Sequence, residues 1–232
     1  MGTHPHRGFS PVTFVVEGEV HHRDSRGNNQ VAKKGEVQWM HAGAGIIHSE
    51  RPSQELVERE GMQEIIQLWI NSPAEKKMQL PKYQFIREED FPIFHSADKS
   101  FRNKVVAGHY KDFSGAISPQ SEVLAIWGTT EKKGKQIYSI PKYYNTMIYL
   151  IKGELDIAGY GRVEQKNLAV FENENTDIEI SSSSKANFLL LAGVPINEKV
   201  VQQGPFVMNS ETEIMEAMRD YQMGKMGILI EE

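Results

Sequence analysis

Two stretches far apart in the chain share one pattern, and that pattern limits the fold more than any other feature. Residues 13–20, TFVVEGEV, and residues 148–157, IYLIKGELDI, each run from apolar residues through a charge to Gly-Glu and an aliphatic side chain. Self-similarity of this kind points to an internal duplication. A turn follows in both, SRGNN after the first and GYGR after the second, and then a returning strand in which Val37 and Trp39 align with Ala169 and Phe171. Alternation rich in Val, Ile and aromatic residues, broken by Gly and Asn, reads as β-hairpins. The expected fold class is therefore all-β, built from two related units.

Pro73, Pro81 and Pro92 punctuate a region of mixed charge that reads as a connection. The expected organisation is a first unit over 1–72, a connection over 73–112 and a second unit over 113–232. Within the first unit, SQELVEREG (53–61) reads as an exposed loop and MQEIIQLWI (62–70) as a buried strand. Near the C-terminus, Ser210 and Glu213 form a capping box, Ile214, Ala217, Met218 and Tyr221 fall on one face, and Gly224 is a stop signal. One short amphipathic helix is expected there, packed on a barrel.

Composition removes several function classes. The 39% hydrophobic and 25% charged residues are those of an ordinary globular protein. No apolar run approaches the ~18 residues that would span a bilayer, and the first residues show no export or anchoring signal, so a cytoplasmic monomer is expected. Lys and Arg are scattered within a net charge of −5, which disfavours direct nucleic-acid binding. With no cysteine, disulfides, thiolate nucleophiles and sulfur-ligated metals are excluded, leaving imidazole and carboxylate as strong metal ligands.

Eight histidines are present and none follows His109, so a histidine site belongs to the first unit. Two pairs stand out, His4-x-His6 and His48-x-Glu50. Residues i and i+2 of a strand share a face, so each pair presents two donors together. The Ala-Gly-Ala-Gly bend at 42–45 lets the chain swing back before the second pair. Three imidazoles and a carboxylate suit a divalent first-row metal, Fe(II) first, with Mn, Cu, Ni and Zn as alternatives. On the register of the repeat, the second unit offers Ser139, Pro141 and positions near Ile180 and Ser182, which are not ligands. His21, His22, His41, His95 and His109 read as structural.

HPHRGF, VVEGEVHHRDSRGN, GEVQWMHAGAGIIHSE and GVPINEKVVQQGPFVMN, in this order, resemble the pirin family of bicupins across essentially the whole chain. The resemblance implies two jelly-roll-like cupin β-barrels stacked face to face with a short C-terminal helix. It also implies one metal, usually iron, in the N-terminal barrel on His4, His6, His48 and Glu50. Similarity to quercetin 2,3-dioxygenases implies an Fe(II)-dependent dioxygenase acting on a small aromatic flavonol and O₂, with Glu50 as catalytic base. Phe9, Phe14, Val16, Trp39, Met40 and Ile47 are candidates for its apolar pocket. The alternative that the family offers is a non-catalytic, iron- and redox-responsive regulator that binds a protein partner. This chain has Ser10 where many pirins have glutamate. Pirins also carry about fifty residues ahead of the first histidine pair, so the first barrel is expected to lack strands, with His4 and His6 on a fraying terminus.

Overall fold

The alternating segments fold as strands in two units, which the computed structural model describes over residues 2–173 and 176–230. The first unit comprises Met1–Glu89 with Ile196–Glu232, and the second Asp90–Pro195.

The first unit opens with β1 (His4–His6), β2 (Phe9–Glu17), β3 (Glu19–Asp24), β4 (Asn29–Lys33), β5 (Val37–His41) and β6 (Ile46–Arg51). Helix α1 (Gln54–Glu58), β7 (Glu64–Asn71), α2 (Ala74–Lys77) and β8 (Lys82–Ile86) follow. These strands form two antiparallel sheets, in the orders β1-β6-β3-β4 and β7-β2-β5-β8. The second unit holds β9 (Ile93–His95), β10 (Phe101–Ala107), β11 (His109–Tyr110), β12 (Phe113–Ser114), β13 (Val123–Thr130) and β14 (Gly134–Ser139). It continues through β15 (Asn145–Lys152), β16 (Glu154–Ile157), β17 (Gly161–Glu164), β18 (Leu168–Phe171), β19 (Asp177–Ser182) and β20 (Ala186–Gly193). Its main sheets run β18-β15-β20-β13-β10-β9 and β14-β19-β16-β17.

The duplication is visible strand by strand. The sheet β14-β19-β16-β17 repeats β1-β6-β3-β4, and β18-β15-β20 repeats β5-β2-β7. Gly18 and Gly153, which anchor the sequence repeat, occupy the same bend between sheets with φ of +76° and +86°. A Cβ would collide with the carbonyl of Met62 at the first and of Lys185 at the second, so both sites require glycine.

Four local expectations change. The charged stretch at 53–61 contains helix α1, because Ser53 caps it by accepting from the Leu56 amide at 3.0 Å and Leu56 buries its side chain. Strand β7 is an edge strand, leaving Ile65 36% and Trp69 42% exposed. The region expected as a connection is shared out instead. Strand β8 pairs with β5 in the first unit, and β9 pairs with β10 in the second.

The C-terminal segment, expected with the second unit, belongs to the first. It forms the hairpin β21 (Val201–Gln203) and β22 (Phe206–Met208), then α3 (Glu211–Gln222) with the Ser210–Glu213 capping box in place. Ile214 and Ala217 of α3 pack with Ile47, Phe206, Met208 and Met226. Arg7 fastens this segment to the first histidine pair, donating to Ala44 O at 2.6 Å and Asp220 Oδ2 at 3.1 Å. Buried Lys77 donates to Gly8 O and Val207 O, both at 2.8 Å.

Candidate metal centre

Strands β1, β6 and β3 lie side by side, so their i, i+2 pairs come into register. His4 and Asp24 both stand opposite His48, and His22 stands opposite Glu50. The ligating atoms of His4, His6 and His48 all lie within 4.8 Å of one another, as do those of His22, His48 and Glu50. The two expected pairs therefore meet, with His48 common to both groups. Glu50 is grouped with His22 and His48 rather than with His4 and His6.

The ring orientations follow from the outer nitrogens. His4 Nδ1 is 2.7 Å from Gly2 O and His6 Nδ1 is 3.4 Å from Pro205 O. A carbonyl only accepts, so each ring carries its hydrogen on Nδ1 and presents a bare Nε2 to the cluster. His6 Nε2 is buried without a hydrogen-bond partner among the described residues. His4 Nε2 and His48 Nε2 are 2.9 Å apart, about the separation of neighbouring donors on one ion with metal–nitrogen bonds of ~2.1 Å. An orphaned buried lone pair costs about 1–3 kcal/mol, and a cation would relieve it. The donor set thus fits a divalent metal.

Electrostatics favour the same state. Burial, and then the proximity of His4, hold His6 down to about 3 from 6.5. Burial, followed by His6, His4 and His22, holds His48 well below its ordinary value. Both rings are neutral at pH 7, as ligation requires.

Glu50 is buried and fully received by the facing sheet. It accepts from Thr13 Oγ1 at 2.9 Å, Gln38 Nε2 at 2.7 Å and Gln67 Nε2 at 2.5 Å. These three residues form one cross-strand row, since Thr13 pairs with Gln38 on β5 and with Gln67 on β7. Tyr83 OH donates to Gln38 Oε1 at 2.7 Å and Trp69 Nε1 to Gln67 Oε1 at 3.2 Å, which turns both amide donors toward the carboxylate.

His22, expected to be structural, sits at the centre instead. Its Nε2 lies 3.1 Å from Asp24 Oδ2, and its ring stacks on Tyr83 with centroids 4.4 Å apart. Burial would raise Asp24, but bonds from His22, Asn28 and two backbone amides outweigh it and leave the carboxyl below its usual value. His22-x-Asp24 is a third i, i+2 pair, a signal present in the sequence. Thr13, Gln38, Gln67 and Tyr83 carry no comparable signal, because only strand register brings them to Glu50.

The remaining candidates are dispersed. A cavity of about 10 Å³, room for roughly one water, lies between the sheets beside Thr13, His22, His48 and Glu50. Of the expected pocket residues Met40 lines it; Phe9 packs against His6 and Trp69, while Phe14, Val16 and Trp39 are buried in the first unit. Ile47 packs against α3. His21 bonds Asn29, His109 bonds Ser114 and His95 is exposed. His41 is buried 3.4 Å from Ser10 Oγ, on the face of β2 opposite Pro11 and Thr13.

The second unit has no such donors at the matching places. Tyr138 pairs with Ile178, and Ile157 with Ile180. Tyr138, Ile140, Ile178 and Ile180 therefore replace His4, His6, His48 and Glu50, and Ile157 replaces His22. The expected Ser139 and Pro141 are one residue out of step, which in a strand is the opposite face. Likewise Gln38, rather than Val37, matches Ala169, since each pairs with the corresponding residue of β2 or β15.

The pirin family model matches residues 1–70, and the model for the pirin C-terminal cupin domain matches 127–227. A pirin-like protein of Solanum lycopersicum is 35% identical over 97% of this chain and 76% of its own length. The chain belongs to the pirin family. Among solved pirin-fold structures, quercetin 2,3-dioxygenase from Acinetobacter baumannii matches with a TM-score of 0.93 and 38% identity, over 99% of this chain and 80% of that one. The bacterial pirin YhhW of Escherichia coli, solved in complex with nickel(II), shares the fold at 24% identity and a TM-score of 0.69, over 84% and 76% of the two chains. This pirin is thus a bicupin with a histidine- and glutamate-lined candidate metal site in its first barrel, and among the described residues no helix is long and apolar enough to cross a membrane.

Proposed function

We propose that this pirin is an iron(II)-dependent dioxygenase that opens the ring of a flavonol such as quercetin, with His4, His6, His48 and Glu50 as metal ligands. The observation that carries this reading is the convergence of bare Nε2 atoms, one of them a buried orphan, beside a hydrogen-bonded carboxylate. The likeness to the Acinetobacter quercetin 2,3-dioxygenase supports the substrate class. Nitrogen and oxygen donors suit Fe(II), and the same set accepts Mn, Cu, Ni or Zn.

When bound, the metal supplies Lewis-acid polarisation and a redox centre for O₂. Glu50 accepts the proton of the flavonol 3-hydroxyl, and the Thr13–Gln38–Gln67 row keeps its carboxylate from swinging away. The cavity beside Glu50 is too small for three rings, so the substrate lies against half-exposed Trp69. That indole packs edge-on to His6 with centroids 5.3 Å apart and offers a flat surface for stacking.

Iron-loaded protein incubated with quercetin and O₂ should lose flavonol absorbance and release CO. His48→Ala should bring both turnover and bound metal to background. Stoichiometric iron without CO release overturns the dioxygenase and favours the redox-responsive regulator with a protein partner.

A further inference from the structure

The histidine cluster needs the same tautomer on three rings, yet backbone carbonyls provide it for two. His4 and His6 have Gly2 O and Pro205 O behind them. His48 Nδ1 instead faces another ring nitrogen, His22 Nδ1, at 3.5 Å. An imidazole nitrogen donates or accepts according to where its hydrogen lies, so this contact alone leaves His48 undetermined. With hydrogen on His22 Nδ1, His48 would accept there and carry its own hydrogen on Nε2, inside the cluster. That form cannot ligate.

The far side of His22 resolves the choice. Asp24 Oδ2 lies 3.1 Å from His22 Nε2, and a carboxylate accepts. Asp24 is itself fixed by the amides of Arg26 and Asn28 and by Asn28 Nδ2, at 2.9, 3.1 and 2.7 Å. With His22 neutral, hydrogen sits on His22 Nε2, His22 Nδ1 is bare, and His48 donates to it from Nδ1. This leaves His48 Nε2 bare 2.9 Å from the bare Nε2 of His4, a juxtaposition that a cation between them stabilises. The stack on Tyr83, only 15° from parallel, holds the plane of the ring.

We infer that Asp24 and His22 are positioning residues that set the ligating tautomer of His48, doing for the third ligand what a backbone carbonyl does for the other two. The inference rests on the metal-site reading above. Loss of an orienting partner of this kind weakens metal binding by about 10–100-fold.

The test uses the full chain with cobalt(II), whose affinity is read from its visible absorption, and two substitutions that separate orientation from packing. His22→Phe keeps the ring on Tyr83 but removes the acceptor, and should weaken cobalt binding by about 10–100-fold. His22→Asn loses the ring but keeps an oxygen near the Nδ1 position, and should bind more tightly than His22→Phe. A packing role predicts the reverse order, and that order, or equal affinity of all three proteins, overturns the inference. Nitrogen-15 NMR gives a second reading that needs no substitution. Hydrogen on His22 Nε2 alone supports the relay, and hydrogen on Nδ1, with or without one on Nε2, sinks it. If the wild type binds no cobalt, the metal reading fails, while the NMR experiment on metal-free protein still decides the His22 tautomer.

Discussion

The two barrels share a strand order and have opposite interiors. Across β7-β2-β5 of the first runs the row Gln67–Thr13–Gln38, and at the same places across β20-β15-β18 of the second runs Leu190–Ile148–Ala169. Facing those rows stand Glu50 and His22 in one barrel and Ile180 and Ile157 in the other. The second barrel shows that this architecture closes well on hydrocarbon, with Phe101, Ile148, Leu150 and Phe188 fully buried. The polar interior of the first is thus no requirement of the fold. Buried polar groups that the fold can dispense with mark a functional site.

The largest stability change should come from the hydrocarbon side. Phe188→Ala removes a ring packed against Phe101 and Tyr138 and should cost about 3–5 kcal/mol in urea unfolding. The folded variant should keep its full metal stoichiometry, and metal loss would break the division of labour between the barrels. Exchanging one residue between the rows comes next. Ile148→Thr buries a hydroxyl among apolar side chains and should cost about 1–3 kcal/mol. Thr13→Val removes one of the donors to Glu50, leaves Gln38 and Gln67, and should cost about 1 kcal/mol. Equal costs would show that the rows are less different than their chemistry.

The polar interior should also make stability depend on pH. The folded, metal-free first barrel resists protonation of His6 down to about 3, against 6.5 when unfolded, and His48 shifts the same way. The unfolded chain binds more protons at these two rings across that interval, so their contribution to stability falls as pH drops from 6.5 toward about 3 and is level above it. The urea midpoint of chelator-treated protein should follow this course, with a shallower slope in His6→Asn. An unchanged slope would remove His6 as the cause.

Much of this was legible from residue spacing, within definite physical bounds. The repeat around Gly18 and Gly153, the capped helix at Ser210 and both candidate ligand pairs depend on local periodicity, which one strand or helix carries by itself. Convergence of the pairs depends on the His4–His48 register, and the repeat alone places the matching residues of the second barrel one or two positions out of step. His22 reads as structural in the sequence because its surroundings are defined by the strand beside it. The terminal helix is legible as a helix while its place with the first unit is not, since an amphipathic face does not say which apolar surface it will meet.

The carbonyl behind His6 belongs to Pro205, 199 residues further along the chain. A polypeptide grows from its amino end, so on the ribosome the first barrel waits for the whole second unit before its last orienting group arrives. The candidate metal site is on that account fully oriented only late in synthesis. A chain interrupted between the second unit and the closing hairpin would carry every candidate ligand and still lack the full means of aiming them.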